Sequence, residues 1–221
     1  MVVCTDTDVE QGVLFMTLSI IIPAFEESAK IVGDIRAATA FLKDNRLSGE
    51  IIVIDDGSAD DTAARAEKVP PTVGIPCRVI RLGANCGKGR AVRTGMTCAI
   101  GDYVMFADSG CCVPYHNVLP GLKMLQDGVC DIAHGSRKIK GCKIHRPQSR
   151  FRKICSHAFR WFVNAWLKIP PHLTDTQCGF KIYRSDVARK LYGECITDGF
   201  TFDVEIIMRA HRHGYRIKEF P

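Results

Sequence analysis

Apolar residues fall along this chain in short unbroken blocks, and most blocks run straight into an acid or a glycine. Leu18–Phe25, Ile51–Ile54, Cys77–Leu82, Asp102–Ala107 and Asp131–Ser136 each read as a short strand, and Tyr215–Phe220 as a last one. Unbroken runs of this kind suit strands covered on both faces, as in a parallel sheet between helices. Between them lie segments of helical character. One runs from Glu26 to about Leu42, with acids in its first turn; Ala63–Val69 is closed by Pro70, Pro71 and Pro76; Ala91–Ile100 follows a glycine-rich loop; Gly199–Ala210 sets Asp203 and Glu205 at its start. The alternation predicts an α/β fold, a Rossmann-like three-layer α/β/α arrangement about a mostly parallel central sheet.

The stretch Ile51 to Thr62, IIVIDDGSADDT, organises this pattern. The strand should stop where the carboxylates begin, because adjacent acids are not buried unpaired. Gly57 lets the chain turn, and Ser58 or Asp60 can cap the next helix. Asp55 and Asp56 therefore sit at a strand's carboxyl end, where open α/β sheets bind ligands. A capping loop with solvated acids would use the same residues. A second strand ends on Asp108-Ser109-Gly110. The loop Gly83–Arg90 combines glycines, Lys88 and a helix start, which suits phosphate, although a plain tight turn is the alternative. It is neither a Walker loop nor a dinucleotide fingerprint.

Composition refines this picture only in places. The 221 residues are 46% hydrophobic, enough for one domain with its own core. A balance of 30 basic against 24 acidic residues is too mild to imply nucleic acid. The 11 cysteines lack CxxC pairs or zinc spacing and read as reduced thiols in an intracellular protein. Residues 1–16 are acidic, unlike a signal peptide, and read as a loose tail, leaving residues 17–221 as one domain. No run of about 18 apolar residues offers a membrane span. The chain stops just after a strand-like run, as if cut within a larger protein or given a very short C-terminus. From Arg137 to Arg160 the chain carries basic residues without an acid, and Trp161, Phe162 and Trp166 follow. Residues 137–170 read as a basic amphipathic segment that can lie on an anionic membrane or hold a phosphate. A core-facing helix with a solvated basic face would give the same pattern.

Seven short strings recur in one order: Ile22–Glu27, Ile54–Thr62, Asn85–Arg93, Phe106–Asp108, Gly135–Arg137, Asp175–Lys181 and Phe202–Glu205. As an ordered set they resemble family 2 glycosyltransferases of the GT-A fold, and within them the branch acting on polyprenyl (dolichyl-type) phosphates. The resemblance spans residues 17 to 221. It implies that Pro23, Ala24, Glu26 and Asp55, with Asp56 nearby, hold the base and ribose of a nucleotide-sugar donor. Lys88 and Arg93 would steady the nucleotide end. Asp108 would belong to an Asp-x-Asp motif holding Mg²⁺ or Mn²⁺ on the donor diphosphate.

Here the sequence departs from the motif, because its second aspartate is Gly110. Asp108 would hold the metal with diphosphate and water, or Asp175 or His116 would substitute, or the protein binds a nucleotide sugar with weak or no catalysis. The implied reaction is inverting, single-displacement transfer of a hexose, from UDP-glucose or GDP-mannose, to a polyprenyl phosphate at the cytoplasmic face of a membrane. Arg137, with Arg146, Arg150, Arg152 and Lys153, would hold that phosphate. A phosphate needs little base catalysis, whereas a hydroxyl acceptor of a polysaccharide would need a carboxylate, for which Asp175 and Asp203 are candidates. Gln177 belongs to the same string as Asp175. Donor sugar, nucleotide and oligomeric state are open at this stage.

Overall fold

The computed structural model describes residues 17–110, 113–139, 173–175 and 178–221. The tail 1–16, Gln177 and most of the basic segment, including Arg146, Arg150, Arg152 and Lys153, lie outside the described residues. Seven strands form one sheet: β1 (Thr17–Ala24), β2 (Ser48–Asp55), β3 (Cys77–Arg81), β4 (Tyr103–Ala107), β5 (Ile132–Gly135), β6 (Phe180–Arg184) and β7 (Ile217–Phe220), in the order β3-β2-β1-β4-β6-β5-β7. All pairings are parallel except those of β6, which runs against both β4 and β5. Inserting one reversed strand is what makes the sheet mostly rather than wholly parallel.

The helices are α1 (Ile31–Asp44), α2 (Thr62–Glu67), α3 (Lys88–Cys98), α4 (Val118–Gln126), α5 (Ser185–Glu194) and α6 (Phe202–Arg212). Alternate strand residues face opposite layers. Ile20, Ile22, Ile51, Val53 and Met105 pack with α1, α2 and α4, whereas Ile21, Ile52, Ile54, Val104 and Phe106 pack with α3, α5 and α6. Both faces are covered, which is why β1 and β2 read as continuous apolar blocks. Each fully buried Ile or Leu contributes roughly 1.5–3 kcal/mol. Among the described residues no helix is long and apolar enough to cross a membrane, and Cys77, Cys86, Cys98, Cys130, Cys178 and Cys195 are free thiols.

Several boundaries differ from the sequence reading for local reasons. Helix α1 starts at Ile31 rather than Glu26, because Glu26 takes a left-handed backbone, φ 53°. Asp60 receives the Thr62 N–H, while Ser58 turns back to Asp55. Helix α3 begins at Lys88, inside the glycine-rich loop. It crosses β1 closely at Gly95, where an added Cβ would lie 2.3 Å from Ile21 Cγ2. Gly95→Ala should therefore lower stability by about 1–3 kcal/mol, read as a lower urea midpoint with an unchanged slope.

Candidate active site

The carboxyl ends of β1, β2, β4 and β5 share one edge of the sheet, and the reversed β6 starts there, with Phe180 opposite Ala107. The strand order changes direction at β1, whose neighbours are β2 and β4. Such a switch point is where open α/β sheets form a crevice. Asp55 ends β2 and Asp108 follows β4, so these acids flank Pro23 and Ala24 at the tip of β1.

Around Asp55 the backbone is tied to itself. Asp55 Oδ1 accepts the Ser58 hydroxyl at 2.5 Å and its N–H at 3.3 Å, and Ser58 Oγ accepts the Glu26 N–H at 2.9 Å. This contact holds Glu26 in its left-handed turn. Asp56 accepts the N–H groups of Cys86 and Gly87, both at 2.9 Å, and so anchors the glycine-rich loop. Gly87 has φ 96°, and a Cβ there would meet the Asp198 carbonyl at 2.6 Å.

The sequence offered this loop as a phosphate site or a plain tight turn, and two of its amides are taken up within the protein. The Gly89 and Arg90 N–H groups donate to the Asp198 carbonyl at 2.7 and 3.2 Å. Arg93, expected beside the nucleotide, bridges the Cys195 carbonyl and the Asp198 carboxylate, both at 2.5 Å. Both contacts latch residues 195–198 over the start of α3. Glu205 holds the same loop from α6, accepting the Ile196 and Thr197 N–H groups at 3.1 and 2.8 Å and pairing with Arg209.

The cation that the loop does present is Lys88, whose Nζ lies 2.6 Å from Asp108 Oδ1. That oxygen is buried and accepts no hydrogen bond of good geometry, so the ammonium charge is its partner. Asp108 is pressed into place by Gly179, where a Cβ would sit 2.1 Å from Oδ2. The next two residues are tethered to α1 and the turn before it. Ser109 Oγ donates to Glu27 at 2.9 Å, and the Gly110 N–H points at both oxygens of buried Asp34, at 3.0 and 2.8 Å. Gly110 has φ 88°, a backbone that favours glycine.

Across the edge, Arg137 binds Asp175 through two nitrogens, at 2.7 and 2.9 Å. Asp175 is 3% exposed, while the Arg137 side chain is 41% exposed and keeps donors facing outward. Burial pushes the Asp175 carboxyl up, but hydrogen bonds and charge from Arg137 outweigh it, leaving the carboxyl below its usual range. Glu219 on β7 fixes the turn by accepting the N–H groups of Thr174 and Asp175 at 2.7 and 2.8 Å. Beneath, Lys181 Nζ lies 2.5 Å from Asp203 in the core. Burial raises the Asp203 carboxyl, and Lys181 pulls it back. Asp203 is thus a core ion-pair member rather than a surface helix cap, and neither Asp175 nor Asp203 is an uncommitted base. His116 lies in the turn Tyr115–Asn117, and no group of three or more His, Cys, Asp or Glu forms a metal cluster among the described residues.

Residues 19–192 match Glycosyl transferase family 2. The chain belongs to this family. Proteins named dolichyl-phosphate beta-glucosyltransferase are 34% identical in Drosophila melanogaster, over 88% of this chain and 63% of theirs. The Dictyostelium discoideum protein of that name is 31% identical over 91% and 64%, and the Saccharomyces cerevisiae protein 30% identical over 92% and 65%. The chain thus spans a little under two thirds of the length of these relatives. Among solved structures, glucosyl-3-phosphoglycerate synthase from Mycobacterium tuberculosis with phosphoglyceric acid superposes with a TM-score of 0.69 at 20% identity, covering 92% of this chain and 69% of that one. The same enzyme with Mn²⁺, UDP and glucosyl-3-phosphoglycerate gives 0.66 at 21%, over 92% and 69%. At these identities the likeness carries the GT-A fold, which agrees with the fold class read from the sequence.

In this family 2 domain the sequence reading assigned no site role to Glu27, Asp34, Gly179, Lys181, Asp198 and Glu219. Asp34 left a signal, because it sits on the apolar stripe of α1 with Ile31, Ile35 and Ala38, where an acid needs a buried partner. Glu27, Gly179 and Lys181 lie within the strings Ile22–Glu27 and Asp175–Lys181, which marked the segment but not the contact each makes, and Asp198 and Glu219 bond across the fold with no local signal. Glu205 supplies a pH test of the 195–198 loop. Burial alone would raise its carboxyl, but hydrogen bonds from Thr197, Ile196 and Arg209 bring it from 4.5 to about 2. A depressed carboxyl stabilises fully above its unfolded value and loses that contribution as pH falls from 4.5 to about 2. Urea unfolding should show Glu205→Gln losing about 1 kcal/mol at pH 7, solvent screening holding the loss to that size, with a shallower decline across that acid window.

Proposed function

We propose that this domain transfers glucose from UDP-glucose to a polyprenyl phosphate of the dolichyl type, by a single displacement that inverts the anomeric carbon. One observation carries the reading: at the carboxyl edge, Arg137 is braced by a buried carboxylate and still presents donors outward, while the two acids offered as bases are committed to cations. A phosphate monoester is already largely dianionic near neutral pH, its second pKa being about 6, so it needs a cationic cradle rather than a base. A hydroxyl acceptor would need the base. The names of the relatives support the lipid phosphate and glucose.

In this reading the donor lies along the tips of β1 and β2, with Pro23, Ala24, Glu26 and Asp55 around base and ribose. Asp56 shapes the loop that carries Lys88, and Arg93 acts through the loop it latches. Lys88 faces the diphosphate as it leaves. Arg137 aims the acceptor oxygen at the anomeric carbon, and Asp175 is its positioning residue. Asp108 suits one coordination position of Mg²⁺ or Mn²⁺, with diphosphate oxygens and water as the remaining ligands, and such an ion would offset charge on the departing diphosphate. The acceptor implies work at a membrane surface, peripherally and on the cytoplasmic side.

The test is transfer of radiolabelled glucose from UDP-glucose to dolichyl phosphate, with GDP-mannose and a free sugar acceptor as comparisons. Lipid-linked glucose is expected; label on the free sugar instead would overturn the reading. Arg137→Ala should lower kcat/KM for the lipid phosphate about ten- to a hundredfold, the range of a charge-assisted hydrogen bond. Asp175→Asn should lower it less, mainly by raising KM, whereas loss of a base would abolish kcat.

Gly110 favours a second reading, a nucleotide-sugar binder without turnover, for which bound UDP with no transfer would be decisive. The backbone makes Gly110→Asp a poor repair. At φ 88° an aspartate is strained by about 1–2 kcal/mol, and the N–H bond to Asp34 is at risk. Thermal unfolding should shift down, with no gain in transfer.

A further inference from the structure

Among the described residues, three carboxylates in and around the site are each paired with a cation. Lys88 faces Asp108, Lys181 faces Asp203, and Arg137 faces Asp175. The first two pairs lie against one ring: Lys88 Nζ is 5.9 Å and Lys181 Nζ 5.4 Å from the Phe106 centroid. The Asp108 charge is felt at both Asp203 and Arg137, so the three pairs form one electrostatic neighbourhood. Each of these three carboxylates has a cation as partner, and the position two residues past Asp108 offers a backbone N–H that is held by Asp34. A divalent ion approaching the nucleotide-free protein therefore meets one carboxylate already neutralised by an ammonium.

We propose that Lys88 is a resident counter-cation that excludes a divalent ion from Asp108 until a nucleotide diphosphate enters. The idea rests on the nucleotide-sugar reading for its meaning in the reaction. The diphosphate brings negative charge, Lys88 moves its ammonium onto the phosphate oxygens, and Asp108 becomes free to ligate. Metal and nucleotide then bind as a coupled pair, each raising the other's affinity. Lys88 suits the exchange, since it opens α3 beside the crevice on a flexible stem and is partly exposed.

The experiment uses Mn²⁺ alone, without nucleotide, and reads free Mn²⁺ by electron paramagnetic resonance during titration of the protein. Wild type should bind weakly at this site. Lys88→Met should raise Mn²⁺ affinity about tenfold, as expected for removing a like charge within a few ångströms. Adding Asp108→Asn to that variant should erase the gain, and Lys88→Arg should bind as weakly as wild type. The proposal is overturned if Lys88→Met leaves Mn²⁺ affinity unchanged or lowers it, if the gain survives Asp108→Asn, or if Lys88→Arg also gains. Because no donor or acceptor enters the titration, its result is distinguishable from a failure of glucosyl transfer.

Discussion

The ammonium of Lys88 and the carboxylate of Asp108, 2.6 Å apart, join the two halves of the site. One comes from the loop that opens α3, the other from the tip of β4. An acid at a strand tip is strongly disfavoured unless it meets a cation, water or hydrogen-bond donors; at this edge Asp108 meets an ammonium, while Asp55 and Asp56 meet a hydroxyl and backbone N–H groups. Asp175 with Arg137 and Asp203 with Lys181 follow the same rule. The outcome is an edge dense in charge and locally balanced, so an arriving anion or cation must exchange with a partner already in place.

The backbone around these pairs is arranged to keep them. Asp56 holds the Cys86–Gly87 amides, Asp198 holds those of Gly89 and Arg90, and Arg93 holds Asp198. Lys88 is therefore presented from a loop tied on both sides. On the other side, Gly179 leaves room only for the Asp108 carboxylate, and Asp34 reaches out of the core to fix Gly110. The glycine in place of a second metal-binding acid is thus an integrated part of this loop. The backbone of the loop that opens α3 is tied on both sides, while the Lys88 side chain extends from it on a flexible stem.

In the proposed transfer the same pairing bears on the acceptor. A guanidinium braced by a buried carboxylate keeps its orientation while its outward donors stay exposed, and planar donors of this kind match phosphate oxygens. An acid in that position with a free lone pair would have suited a hydroxyl acceptor. The two arrangements use the same residue types, and geometry alone separates them.

The sequence by itself determined the layers and the edge. Unbroken apolar blocks such as Ile51–Ile54 suit burial on two faces, and acids directly after them suit strand ends, so a covered, mostly parallel sheet with Asp55 and Asp108 at its carboxyl edge was legible in the local pattern. Tertiary structure alone decided the reversed strand β6, the latch from Arg93 to Asp198, and the partners of Lys88, Asp175 and Asp203. Residues such as Arg93 and Asp198 lie far apart in the chain, and nothing in the local pattern around either encodes the distance to the other. Pair identity is fixed only when strand order and helix placement bring the side chains together. Burial then decides which charge is neutralised within the protein and which remains to meet a ligand.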